Sequence, residues 1–239
     1  MRFSVTEKLI QRQINHWSRL REVLREQGPP IETGPGPVIT ISRLAGSGGR
    51  TLAAGLGDRL GLTVHDHSIV ERIARTRKLS PELVALLDEH DIRQSDLWVR
   101  GVLENRLFLK EQYLQALTET IEGMAAAGNA VILGRGAGHI LGHRATLRVR
   151  LVASRASRQS RLQEQLGVSR AEARALLDDT DRGREAYVRK LFGVDPLDAS
   201  GYDLLVNTDR LGAAEVLEVT LVALLGAARS QQVQMSGSA

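Results

Sequence analysis

The segment Pro37-Val-Ile-Thr-Ile-Ser-Arg-Leu-Ala-Gly-Ser-Gly-Gly-Arg-Thr51 restricts the fold of this chain more than any other. The apolar, β-branched run at 38–41 reads as a buried strand and the cluster Gly46-Ser47-Gly48-Gly49 as a tight turn. Leu52, Leu56 and Leu60 then mark one face of a helix. Strand, glycine turn and helix in that order aim backbone N–H groups and a helix N-terminus at one point, which suits a phosphate. Glycine is needed there because a Cβ would block the approach of the backbone to the anion. An ordinary tight strand-to-helix turn produces the same pattern without a ligand. The spacing departs from Gly-x-x-x-x-Gly-Lys-Ser/Thr, in which lysine reaches the β- and γ-phosphates and the hydroxyl binds Mg²⁺. Here Gly48-Gly49-Arg50-Thr51 fills that corner. Arg50 is a permanently charged planar fork, able to bind phosphate but not to act as a compact point charge.

Strand and helix signals alternate from residue 38 onward. Short apolar runs at 38–41, 62–64, 130–133, 147–152 and 204–206 are separated by stretches long enough for helical crossovers. This predicts an α/β fold with a parallel, doubly wound sheet of five strands. Ligands of such sheets lie at the carboxyl ends of the strands. Two inserts interrupt the alternation. Residues 79–127 are helical, with Leu83, Leu86, Leu87, Leu107, Leu114 and Leu117 facing the core. Residues 154–198 are highly charged, and a mobile helical segment of this kind over a phosphate site acts as a lid.

The expected domain organisation is an N-terminal helix and Gly/Pro linker at 1–36, a main domain at 37–229 and a flexible tail at 230–239. Phe3, Ile10, Ile14, Trp17 and Leu24 share one helical face within 1–27, before Gly28-Pro29-Pro30 ends the helix. That face packs on the main domain or on a second copy of the chain, giving a homo-oligomer. A basic helix lying on a membrane surface is the alternative.

There is no cysteine, which excludes disulfides, thiolate zinc sites and cysteine nucleophiles. No apolar stretch approaches a membrane span, and the N-terminus lacks a signal-peptide core, so the cytoplasm is the expected compartment. A net charge of +4 favours anionic ligands. Aromatic residues make up 3% of the chain, too few for base-stacking platforms, so there is no strong nucleic-acid signal. His65, His67, His139 and His143 raise a metal reading. His65 and His67 point to opposite faces if the strand persists, and Gly138 and Gly142 argue against a helix that would bring His139 and His143 together.

Three stretches carry a resemblance: Ile41-Ser-Arg-Leu-Ala-Gly-Ser-Gly-Gly-Arg50, Gly128-Asn-Ala-Val-Ile-Leu-Gly-Arg-Gly-Ala137 and Tyr202-Asp-Leu-Leu-Val-Asn-Thr-Asp-Arg210. From about 37 to 227 the chain resembles the nucleoside monophosphate kinases, specifically the cytidylate kinase-like family. The resemblance implies a P-loop NTPase-like fold with helical acceptor-binding and lid inserts, and ATP and Mg²⁺ as cofactors. It implies that Gly46, Ser47, Gly48, Gly49, Arg50 and Thr51 bind ATP, with Thr51 and Asp66 toward the metal. Arg72, Arg135, Asp181 and Arg184 match residues that hold the acceptor nucleotide. Arg155, Arg158 and Arg161 fall where lid arginines reach the transferring phosphoryl group, and Arg50, Asp66 and Arg158 are the candidate catalytic residues. Asp66 equally suits capping of the next helix. The family carries lysine where Gly49 stands, aspartate where Leu133 and Gly136 stand, and arginine where Leu177 stands. The functional expectation is ATP-dependent phosphoryl transfer to a nucleoside monophosphate or similar small phosphate acceptor. A non-catalytic nucleotide-binding module on the same scaffold is the alternative.

Overall fold

The computed structural model describes residues 36–66, 69, 72, 73 and 107–236. The N-terminal helix, His67 and the 79–106 portion of the first insert lie outside the described residues. The chain divides into Met1–Gly34 and Pro35–Ala239, and the sheet belongs to the second unit.

The described elements follow in the order β1 (Val38–Arg43), α1 (Gly49–Leu60), β2 (Thr63–His65), α2 (Leu107–Ala127), β3 (Ala130–Leu133), α3 (Ala137–Leu141), β4 (Leu147–Val152), α4 (Arg155–Leu166), α5 (Arg170–Phe192), β5 (Leu204–Asn207) and α6 (Ala213–Ser236). The five strands form one parallel sheet in the order β2-β3-β1-β4-β5. β1 is therefore central, with Ile39 opposite Val131 on one side and Leu147 on the other. The glycine turn leaves the sheet at its middle, where neighbours on both sides hold it.

Side-chain alternation along the strands separates two cores. Ile39, Ile41, Val131, Leu133, Val149 and Leu151 pack with Leu52 and Leu56 of α1 and with Val216 and Leu224 of α6. Val38, Ala130 and Ile132 face the other way, onto Leu117 and Ile121 of α2, Leu141 of α3 and Tyr187 of α5. β4, expected as a uniformly buried apolar run, alternates instead: its leucines and Val149 enter the first core while Arg148 and Arg150 lie on the opposite face.

Helix limits follow from local chemistry. α1 and α4 end on Gly61 and Gly167, both left-handed, and each glycine N–H closes on a carbonyl four residues back. α5 opens with a capping box between Ser169 and Glu172 and ends at Gly193. Two further expectations change. Residues 137–141 are helical despite Gly138, whose lack of a side chain lets α3 lie close to β1: a Cβ there would stand 3.1 Å from Thr40 Oγ1. The left-handed Gly142 (φ +53) then ends it. α6 continues to Ser236, into the segment expected to be a flexible tail. No described helix is long and apolar enough to cross a membrane.

Leu56 is fully buried between α1 and the sheet. Leu56→Ala is expected to lower unfolding stability by about 2–5 kcal/mol in denaturant titration, as for cavity-forming core truncations.

Candidate functional site

The loop between β1 and α1 is built backwards: its carbonyls are held from outside. Leu44 O accepts from Ser47 N and Ser47 Oγ (3.3 and 2.8 Å), Ala45 O from Arg158 Nη1 (3.1 Å) and Gly46 O from Arg161 Nη1 (3.4 Å). Ser47 O accepts from Thr208 Oγ1 (3.2 Å) and Gly48 O from Leu52 N (3.0 Å). With these carbonyls tied back, the N–H groups of Gly46, Gly48, Gly49 and Thr51 meet no protein acceptor among the described residues. Gly46 and Gly48 make this possible with φ of +71 and +90, and the space in front of Gly48 is open to 4 Å. Such a row of donors at a helix N-terminus suits an anion, for which it would form a cradle. The side chain of Ser47 is fully buried and serves the loop itself.

Helices α4 and α5 fasten this loop. Asp181 of α5 accepts from Ala45 N (2.8 Å) through Oδ1 and from Arg158 Nη1 through Oδ2. Arg158 also donates to Ala153 O at 3.1 Å, so its guanidinium is committed behind the loop. Arg161 binds Thr208, and Arg155 pairs with Asp178 at 2.5 Å, joining α4 to α5. Of the three arginines expected near the transferring group, Arg158 and Arg161 therefore clasp the loop and Arg155 ties α4 to α5.

The lysine position explains itself sterically. A Cβ on Gly49 would lie 2.8 Å from Cγ of Arg43 and 3.0 Å from its Cβ, so the Arg43 side chain crosses the place from which a lysine would rise. Arg43 is buried, and its Nη2 lies 3.8 Å from Asp66 Oδ1. Asp66 Oδ2 accepts from Arg50 Nε at 3.2 Å, while the Arg50 side chain stays 61% exposed. The candidate loop cation Arg50 thus reaches sideways to Asp66, and Arg43 is the buried cation over the loop.

Three of the cavities among the described residues border the loop and the sheet face. One of about 190 Å³ lies over the loop, lined by Arg43, Gly48, Gly49, Thr51, Thr180 and Arg184 among others. A second, about 210 Å³, adjoins it between Ser47, Arg161, Thr208 and the start of α6. The third, about 80 Å³, opens on the sheet face under Arg43, Arg135, Arg150, Arg184, His139 and Tyr202. Arg135 is buried and held at φ +53 between left-handed Gly134 and Gly136, a conformation a side-chain-bearing residue adopts at a cost. Arg72 is exposed and lines none of the three. At Gly136 a Cβ would meet Phe192 at 2.2 Å, so an aspartate has no room there.

Arg150 carries no expectation from the sequence and Tyr202 only its place in the last of the three resembling stretches, although the alternation Leu147-Arg-Val-Arg-Leu151 signals a polar sheet face. His139 lies 5.6 Å from the ring of Phe192 and 6.2 Å from that of Tyr202. Burial first, then the charges of Arg148 and Arg150, hold its pKa below the ordinary 6.5. No cluster of three or more His, Cys, Asp or Glu suited to a metal occurs among the described residues.

Residues 38–210 match the cytidylate kinase-like family. A cytidylate kinase of Methanopyrus kandleri is 28% identical over 199 residues, covering 78% of this chain and 92% of that protein. One from Methanothrix thermoacetophila is 29% identical over 188 residues, covering 78% and 97%. A crystal structure of an uncharacterized protein from Eubacterium ventriosum aligns with a TM-score of 0.54 at 18% identity, over 79% of this chain and 98% of that one. The chain belongs to the cytidylate kinase-like family and has its P-loop NTPase-like α/β fold.

The lowered pKa of His139 makes its contribution to stability depend on pH. Below 6.5 the unfolded imidazole takes a proton that the folded one refuses, so its contribution to stability is whole above 6.5 and is lost as pH falls through the folded value. Denaturant unfolding across that range is expected to show stability falling with acidification, and falling less in His139→Asn.

Proposed function

We propose that this member of the cytidylate kinase-like family transfers the γ-phosphoryl group of ATP to a nucleoside monophosphate or a similarly small phosphate-bearing acceptor. One observation carries the reading: Arg43 and Arg184 line both the cavity over the loop and the cavity on the sheet face. A phosphoryl group passing from donor to acceptor would meet guanidinium groups at that shared wall, where transfer demands neutralisation of equatorial oxygens.

The parts then take these roles. The N–H groups of Gly46, Gly48, Gly49 and Thr51 hold the donor phosphates, and Arg43 supplies the charge that lysine supplies in other loops. The adjoining cavity beside Thr208 takes the adenosine. Arg135 and Arg184 hold the acceptor phosphate bidentately. Arg72 reaches it only after a rearrangement, being outside the cavity lining. An oxygen of the acceptor phosphate attacks phosphorus as the bond to the ADP oxygen breaks. That oxygen is already ionised near neutral pH, so no side chain need remove a proton. Asp66 then positions Arg43 and Arg50 rather than acting as a base.

The donor set at the loop fits Mg²⁺ in part. Thr51 is exposed at the cradle and offers its hydroxyl, whereas Asp66 is engaged by two arginines. When bound, Mg²⁺ supplies charge neutralisation on the β- and γ-phosphates. Asp181 and Arg158 keep the lid on the loop and exclude water from the transfer. Phe192 in the room an aspartate would need at Gly136 argues for an acceptor recognised by something other than a cytosine edge at that point.

An ATP-consumption screen over nucleoside monophosphates and other small phosphorylated acceptors, with Mg²⁺, tests the reading. Turnover with one acceptor class is expected. ATP binding with turnover on none would make the chain a nucleotide-binding module. Arg43→Ala is expected to lower kcat by about a hundredfold, the scale of losing one preorganised charge contact. Arg50→Ala, acting through Asp66, should cost about tenfold at most on the same scale. Gly48→Val should abolish the ATP-induced rise in Tm while the protein stays folded, because its side chain would enter the open cradle from a left-handed residue.

A further inference from the structure

β4 presents two arginines on the same sheet face, and they are treated differently. Arg148 is paired side-on: Nε and Nη2 donate to Asp203 at 3.1 and 2.6 Å. Arg150 is the more deeply buried, 5% exposed, and has no such carboxylate among the described residues. Its Nη1 donates to Ser42 Oγ (2.7 Å) and to Tyr202 OH (3.3 Å), and its Cζ lies 5.3 Å from the centre of the Tyr202 ring. Tyr202 OH donates onward to Pro196 O at 3.1 Å, which turns an oxygen lone pair toward Arg150. Those contacts fix the guanidinium plane. The edge Arg148 uses for its carboxylate, Nε with Nη2, has no hydrogen-bond partner among the described residues in Arg150.

The two acids that line the same cavity are engaged elsewhere. Asp181 serves Ala45 N and Arg158, and Glu185 accepts from Arg189 Nε at 3.0 Å. A guanidinium held this far from water without a counter-ion is costly, and a bound oxyanion offsets that cost. The cavity, about 80 Å³, has room for about five water-sized groups, the scale of one phosphate or carboxylate.

We propose that the sheet-face cavity is an oxyanion-binding site organised on the Nε–Nη2 edge of Arg150, with Ser42 and Tyr202 as its positioning residues. The ligand group is a phosphate or a carboxylate of a small molecule. That this molecule is the phosphoryl acceptor rests on the function proposed above; binding of an oxyanion does not. If both hold, the acceptor's anionic group meets Arg150 together with Arg135 and Arg184 in that one cavity.

The test uses the full chain carrying Gly48→Val, so that the donor loop is blocked, and follows Tm and calorimetric binding at constant ionic strength. The probes are inorganic phosphate, acetate and, as control, chloride. A rise in Tm with phosphate or acetate beyond chloride is expected. Arg150→Leu should weaken binding of the responding ion by roughly tenfold or more, the scale of one charge-assisted bidentate contact. It should not lower Tm in the ion's absence, because the substitution removes an uncompensated buried charge. Arg150→Lys keeps a charge but loses the side-on fork, and should also bind more weakly if Arg150→Leu does not fold. A response to phosphate alone or to acetate alone identifies the group and supports the site. Equal ion binding in the Arg150 variants, or no response beyond chloride with Arg150 intact, overturns it. Neither outcome depends on turnover, so a failed kinase assay leaves this result standing.

Discussion

Turning the carbonyls of residues 44–48 away from the cradle is the constraint on which the rest of this molecule depends. A tight turn at the middle of a sheet brings N–H and C=O groups together in nearly equal number, and an anion tolerates only the former. Arg158, Arg161, Thr208, Ser47 and the backbone N–H of Leu52 each take a carbonyl out of the way. Two of those donors come from α4 and one from the loop after β5, elements far apart in sequence. α4 is therefore part of what gives the loop its polarity.

The central strand, the glycine turn and the five-stranded alternation were legible in the sequence because each rests on local signals: β-branched runs, glycine spacing and helical periodicity. The side chains of the site were less so. Arg50 stands at the loop corner in sequence, yet its side chain turns to Asp66, sixteen residues on. Arg43, two residues past the apolar run, reads as the end of a strand, and only the fold shows it crossing Gly49. Arg158 lies where a phosphate-seeking lid arginine belongs, but its partners, Ala45 and Asp181, come together only in the folded chain. Long side chains spanning between elements are set by tertiary geometry, which periodicity does not encode.

The polar sheet face had a local signal that a hydrophobic reading hides. A strand buried on both sides is usually apolar throughout. In β4 every second residue from Leu147 to Leu151 is apolar, and the two arginines between them go to one side. Thr40 and Ser42 of β1 alternate in the same sense and line the same cavity. What lies over that part of the sheet is a small chamber roofed by α3, α5 and the segment before β5, with an aromatic wall of Tyr202 near the imidazole of His139. The opposite face is plain core.

The packing of Arg43 against Gly49 couples the two positions. Any side chain at 49 would begin 2.8 Å from Cγ of Arg43, so a residue larger than glycine fits there only once the arginine has moved or been replaced.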